Sequence, residues 1–344
     1  MKTPKLLYLS GVAAASAATV MMDGCGIEPE TLELRGKSMG TFYSVRIVSP
    51  VEGPAVTLET LRQRVPARLE ELENVFSTYR PNSELSRFNA HPGQEWFSVS
   101  PDFVHALEQA QKVSQLTGGA FDATVGPLVE LWGFGAGGEG GRIPDRQTLD
   151  GLLPATGFEH LQWRKSPPAV RRTRPDVRLD FSAIAKGYAV DQLWKILSAA
   201  GLAAYVVEVG GEVRTRGRRA DGKDWSIGIE DPDAPGIVTA VPLRDAAIAT
   251  SGDYRNFFEY QGRRYAHVID PRTGWPVAHD LVSVSVIGST ATVADALATA
   301  LLVMGPDAGA ELAGREGIAA RFVVRAADGL ETRLTPAYPV AAAN

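Results

Sequence analysis

One cysteine, Cys25, stands in 344 residues, so no disulfide within the chain is open to it, and any stability must come from its core. Long runs of Lys or Arg are missing and the net charge is −5, which excludes a nucleic-acid footprint. The cluster Arg171, Arg172 and Arg174 does not alter that; with Pro167, Pro168 and Pro175 around it, it reads as a solvated loop. Histidine is also scarce, five in all, and four of them (His91, His105, His160, His279) have no neighbours that suggest chemistry. No internal repeat or low-complexity array is present. What remains is an ordinary globular composition, 44% hydrophobic and 22% charged, in a chain long enough for a sizeable core.

Only Leu6 to Met22 is a long apolar run, and Ser10, Gly11, Ser16 and Thr19 dilute it. At about 17 residues it is at the lower limit for crossing a bilayer of ~30 Å. Preceded by Lys2 and Lys5 and followed by Asp23-Gly24-Cys25, residues 1–25 read as an export signal that is cleaved, and the chain is expected to act outside the cytoplasm. A lone cysteine at that place resembles the bacterial lipoprotein site, which implies acylation of Cys25 and anchoring to the inner membrane on its periplasmic side.

Residues 26–37 are expected to be a linker and 336–344 a tail, around one catalytic unit over 38–335. Thr41 to Val48 alternates as a strand does. Residues 58–76 have helical spacing, with Pro66 expected to kink or split the helix. Ser100-Pro101-Asp102 announces a helix that Gly118-Gly119 stops. Further on, the pattern predicts a strand from Val177, a helix from Ser182 to Gly201, and strands at 205–209, 225–230, 246–250, 265–269 and 282–287, then a helix over 291–304. Short strands with Gly-Gly and Asp-Gly turns point to an α+β fold with largely antiparallel sheet. Gly133, Gly135 and Gly138 satisfy G-x-G-x-x-G, but without a strand before and a helix after they read as a surface loop.

Three segments carry chemistry. In Asp180-Phe181-Ser182-Ala183-Ile184-Ala185-Lys186-Gly187-Tyr188-Ala189-Val190-Asp191, a carboxylate precedes a helix start with a lysine, a setting for phosphate oxygens or, equally, for an ion pair on the helix surface. Asp295 and Thr299 lie four apart on one helix face, hard oxygen donors suited to Mg²⁺. His267 and Ile269 are expected on one face of a strand running into the turn Asp270-Pro271-Arg272-Thr273-Gly274, and an imidazole there is a candidate general base.

These segments fall in a fixed order with others: Met39-Gly40-Thr41, Ser77-Thr78-Tyr79-Arg80, Ser83 to Asn89, Gly118-Gly119-Ala120-Phe121-Asp122, Lys186 to Asp191, Gly210-Gly211, Ser251-Gly252-Asp253-Tyr254, His267 to Gly274, and Ala294-Asp295 with Thr299. The set, over about residues 34–306, resembles the ApbE family of FAD:protein FMN transferases. The resemblance implies a two-lobed unit of antiparallel sheets and packed helices. It implies FAD held at Met39, Tyr79, Ala120, Phe121, Asp122, Asp180, Lys186 and Ile269, and Mg²⁺ at the carbonyl of Ala183 with Asp295 and Thr299. Some members carry a second carboxylate where this chain has Ala298. The implied reaction moves FMN from FAD to a Thr or Ser hydroxyl of an acceptor protein and releases AMP; acceptors in the family are periplasm-facing subunits of electron-transfer complexes. Two alternative readings would use the same pocket: an FAD pyrophosphatase giving FMN and AMP, and a non-catalytic FAD-binding lipoprotein that assists assembly of a respiratory complex.

Overall fold

A computed structural model describes residues 31–48 and 57–339, apart from 137, 139–140, 142, 231, 234–235 and 255. The expected signal, Cys25 and residues 26–30 of the linker lie outside the described residues. From Thr31 onward the linker is strand: β1 (Thr31–Ser38) pairs antiparallel with β2 (Thr41–Val48) along its whole length, so backbone pairing, not an apolar pattern, defines it.

Helix α1 (Leu58–Phe76) is capped by Thr57 and runs unbroken through Pro66. Pro66 and Arg62 both lie on the exposed side, so the Arg62 carbonyl that loses its donor faces water. Next come α2 (Glu84–Ala90), the short β3 (Phe97–Ser98), and α3 (Pro101–Leu116), whose cap Ser100 accepts the Phe103 amide at 3.2 Å. Helix α4 (Gly126–Leu131) leads into the glycine-rich stretch, so no strand precedes it and the loop reading stands. Then follow α5 (Arg146–Leu152), β4 (Leu161–Lys165) and β5 (Pro168–Arg172).

The Arg cluster is not a solvated loop. Arg172 lies buried in β5, its guanidinium over the Phe88 ring and bonded to the Val177 and Phe88 carbonyls. Burial pulls its pKa down to about 10. It is a structural strut for the segment that follows.

Helix α6 (Ala185–Ala199) precedes the hairpin β6 (Tyr205–Val209) and β7 (Glu212–Arg216), turned by Gly210-Gly211 at φ 64° and 104°. The chain continues through β8 (Trp225–Glu230), β9 (Ile237–Leu243), β10 (Ala247–Gly252), β11 (Phe257–Tyr260), β12 (Arg263–Ala266) and β13 (Leu281–Gly288). It closes with α7 (Ala291–Met304), α8 (Pro306–Arg315), β14 (Ala319–Ala326) and β15 (Gly329–Leu334).

One antiparallel sheet, in the order β1-β2-β6-β7-β10-β13-β14-β15, organises the fold, which is α+β. Alternation sorts its side chains by face. Val45, Ile47, Val207, Val209, Ala247 and Ala249 join α1, α3, α6 and α7 in the main core, while Val206, Val213 and Ile248 meet Trp225, Val241 and Leu243 of the β8–β9 hairpin on the other face. Tyr338 belongs to that second core, so the expected tail is packed at least that far. A third cluster, Leu128, Trp132, Leu149, Tyr265 and Ile269, forms a small lobe of α4, α5 and the β11–β12 hairpin. Among the described residues no helix is long and apolar enough to cross a membrane.

Candidate active site

The expected strand at Val177 does not form. Leu179 is held instead by one side chain, Asn89, whose amide nitrogen donates to the Leu179 carbonyl and whose oxygen accepts the Leu179 N–H, both at 2.8 Å. The Asp180 amide then donates to the Ala123 carbonyl at 2.7 Å, and its carboxylate accepts the Ser182 amide at 2.7 Å. A turn over 181–184 follows, and α6 begins at Ala185 rather than Ser182.

From there α6 and α7 are locked together. A Cβ on Gly187 would lie 2.3 Å from the Ala291 carbonyl oxygen and 2.8 Å from Asp295 Cβ, so only glycine permits the approach. Asp191 caps α7 from outside: it accepts the amides of Ala291 (3.0 Å) and Thr292 (2.9 Å) and the Thr292 hydroxyl (2.5 Å), and pairs with Arg214 at 2.7 Å. That cap replaces the one Thr290 does not supply. The two contacts fix Asp295, buried at 3% exposure, with Oδ2 accepting the Gly187 N–H at 3.0 Å.

That bond has a consequence for Ala183. In a regular helix the Gly187 amide would serve the Ala183 carbonyl four residues back; here Asp295 takes it, and among the described residues no donor meets the Ala183 carbonyl. One turn on from Asp295, Thr299 Oγ1 lies 2.9 Å from Ser251 Oγ, which adds a hydroxyl from β10. Burial raises the Asp295 pKa, against the pull of Lys186 and the Gly187 N–H.

Lys186 makes no surface pair with an Asp of its own helix. Its Nζ reaches Glu212 Oε1 on β7 at 2.7 Å, and Glu212 is 3% exposed, with no hydrogen-bond partner for Oε2 among the described residues. Burial pushes the Glu212 carboxyl up to about 7, opposed by Lys186 and reinforced by Asp295. For Lys186, desolvation works against the charge, but Asp295 and Glu212 outweigh it and raise its pKa, so it stays an ammonium.

His267 lies in the bend after β12, not on a strand with Ile269; Ile269 bridges to Pro276 across the turn. The turn is tight, with the Asp270 carbonyl accepting the Gly274 amide at 2.8 Å, and Trp132 Nε1 anchors it on the Gly274 carbonyl at 2.8 Å. His267 Nδ1 is 3.0 Å from the Asn256 carbonyl. A carbonyl only accepts, so Nδ1 carries the proton and Nε2 keeps a free lone pair. Burial holds the imidazole below its ordinary range and Lys186 adds to this, against the Asn256 carbonyl and Asp253. Lys186 therefore acts electrostatically on Glu212, Asp295 and His267 alike.

The other expected flavin contacts come from two turns and from the main core. Met39 and Gly40 are the two-residue turn of the β1–β2 hairpin, at φ 52° and 70°. Tyr79 is 74% exposed on a turn where the Ser77 hydroxyl accepts the Tyr79 and Arg80 amides at 3.2 Å. Ala120 and Phe121 are buried in the main core. The Asp122 carboxylate is taken by the Thr124 amide and hydroxyl and by the Phe158 amide, so this side chain is engaged within the fold. Among the described residues no hydrogen bond or ring contact joins Met39 or Tyr79 to His267. Sequence reasoning missed Glu212, whose only signal was its place after Gly210-Gly211, and Ser251, Asp191 and Asn89, which it quoted without a role.

A sequence profile of the ApbE family matches residues 39–322. The chain is 39% identical over 320 residues to a FAD:protein FMN transferase of Vibrio cholerae, spanning 92% of this chain and 94% of that one. Two solved structures superpose on it: the flavin transferase ApbE from Vibrio cholerae, at TM-score 0.82 and 38% identity over 90% of this chain and 98% of that one, and the apo form of the Pseudomonas stutzeri flavinyl transferase ApbE, at TM-score 0.83 and 39% identity over 90% and 96%. With its α6–α7 crossing and the segments from Met39 to Thr299 inside the matched span, the chain belongs to the ApbE family.

Proposed function

We propose that the chain is a Mg²⁺-dependent FAD:protein FMN transferase acting on a Thr or Ser hydroxyl. The observation that carries this reading is the Lys186–Glu212 pair at 2.7 Å, one residue before Gly187, whose amide the buried Asp295 accepts at 3.0 Å; it sets an anion-binding cation beside two buried carboxylates. A diphosphate ester is the substrate such a trio suits.

The donor set fits a hard divalent ion. Asp295, Thr299 and the Ala183 carbonyl would hold it, and among the described residues no cluster of three His, Cys, Asp or Glu side chains competes. With one anionic donor and Ala298 where some members carry a second carboxylate, phosphate oxygens and water complete the shell. When bound, Mg²⁺ supplies charge neutralisation on the diphosphate.

The chain's own groups do the rest. Lys186, held by Glu212, binds phosphate oxygens. His267 Nε2 takes the proton of the acceptor hydroxyl as its oxygen bonds to the FMN phosphorus; the phosphorus–oxygen bond to AMP breaks in line, and AMP leaves. Tyr79 and Met39 supply apolar surface for the isoalloxazine at the rim, and the main chain of Ala120, Phe121 and Asp122, with Asp180 and Ile269, lines the remainder. Export and lipid anchoring at Cys25 are supported by the pattern of residues 1–25, which agrees with periplasmic acceptor subunits of electron-transfer complexes.

The test is to incubate the protein with FAD, Mg²⁺ and a flavoprotein domain carrying an exposed threonine, then weigh that domain. A gain of one FMN that chelation abolishes is expected. Free FMN beside an unchanged acceptor would make the protein a pyrophosphatase, and intact FAD a binding protein.

A further inference from the structure

Glu73, near the end of α1, accepts the Ser38 hydroxyl at 3.1 Å and the Met39 amide through Oε1, and pairs with Arg80 through Oε2. Arg80 is fixed further by Glu70, at 2.5 and 3.0 Å, and by the Asn74 carbonyl oxygen of its side chain at 2.9 Å. One half-buried carboxylate thus joins two segments that are 40 residues apart in the chain: the Met39 turn and the loop of Tyr79, the residue before Arg80. Met39 has a positive φ without being glycine, a conformation that persists only where its surroundings over-determine it. The pairing of Ser38 with Thr41 imposes that φ from within the hairpin, and the Glu73 bond to the Met39 amide holds the turn from α1.

We propose that Glu73 is a positioning residue that clamps the Met39 turn to the Tyr79 loop, so that the rim wall for the flavin ring stands assembled before FAD arrives. This rests on the reading of Met39 and Tyr79 as flavin contacts. Preassembly removes an ordering cost from binding, so its loss is felt in affinity and not in the chemical step.

Three readouts on Glu73→Ala test it: hydrogen exchange at the Met39 amide, the dissociation constant for FAD from flavin fluorescence, and the transfer rate at saturating FAD. Faster exchange, an FAD constant raised on the order of tenfold and a saturated rate within about twofold of the parent are expected. Arg80→Gln, which leaves the bond to Met39 in place, should raise the FAD constant a few-fold, and it carries the test if Glu73→Ala does not fold. Unchanged exchange at Met39 in Glu73→Ala would overturn the clamp while leaving the flavin reading intact. Faster exchange with unaltered FAD affinity would overturn the proposal through Met39 and Tyr79, which would then not be flavin contacts; a saturated rate that falls as much as the affinity would overturn it as a positioning role.

Discussion

The two ends of the candidate site are built differently. At the α6–α7 crossing, Asp295, Glu212 and Asp191 are buried, and each meets a donor supplied by another element. At the rim, Tyr79 stands in solvent and Met39 rides on a two-residue turn. Groups that must handle phosphate charge gain strength from low dielectric and fixed geometry, and burial between helices supplies both. A planar ring system and a protein acceptor need an open approach, which only turns and loops at the edge can leave.

That contrast can be broken most severely at Gly187. Gly187→Ala drives a methyl into the Ala291 carbonyl and Asp295, and should cost about 3 kcal/mol by overpacking along with essentially all transfer; thermal unfolding and the acceptor mass assay would show both. A variant of parental stability and activity would mean that α6 and α7 are not locked as described.

His267 sits in the bend after β12, and its loss should act on rate alone. His267→Ala is expected to slow transfer about 10²-fold or more with FAD affinity kept, as for a general base. Because burial lowers the folded pKa below the ordinary 6.5, the neutral form is the one the fold favours. Transfer should therefore be flat above pH 6.5 and fall as the pH drops through the lowered value, while folding stability, full above 6.5, is lost between 6.5 and the lowered value and levels off below it. A pH profile that keeps its acid limb in His267→Ala would assign that limb to another group, and loss of FAD binding would make His267 a binding residue.

The smallest effect belongs to the rim. Tyr79→Ala removes an exposed ring, so stability should change by no more than about 0.5 kcal/mol while KM for FAD rises about fivefold. An equal fall in stability would place Tyr79 in the packing instead.

The same contrast explains what could be read from the sequence. The Ser100 cap, the alternation of Thr41 to Val48 and the apolar run of α7 declare themselves locally, and they form where the pattern puts them. The segment at 177–181 failed because its partner is a single asparagine 90 residues earlier, which imitates a strand neighbour without any periodicity. Residues 31–37 read as linker because β1, on the sheet edge, is half polar and is defined by its pairing with β2. Arg172 looked solvated because proline and arginine flank it, yet carbonyls and the Phe88 ring receive it. Lys186 was visible as a cation near a helix start, but not its partner: Glu212 arrives from another strand, and only the fold brings them within 2.7 Å.

The central claim is that the locked crossing is a metal-dependent diphosphate site, and Asp295→Asn tests it most directly, because the amide oxygen can still accept the Gly187 N–H while the charge is gone. Calorimetric Mg²⁺ titration of the FAD-loaded protein, paired with transfer rates, should give a saturable response in the parent. In the variant, FAD should still bind, the Mg²⁺ response should vanish, and transfer should fall about 10³-fold. A variant that saturates at the same Mg²⁺ concentration and transfers at the parental rate would contradict the account.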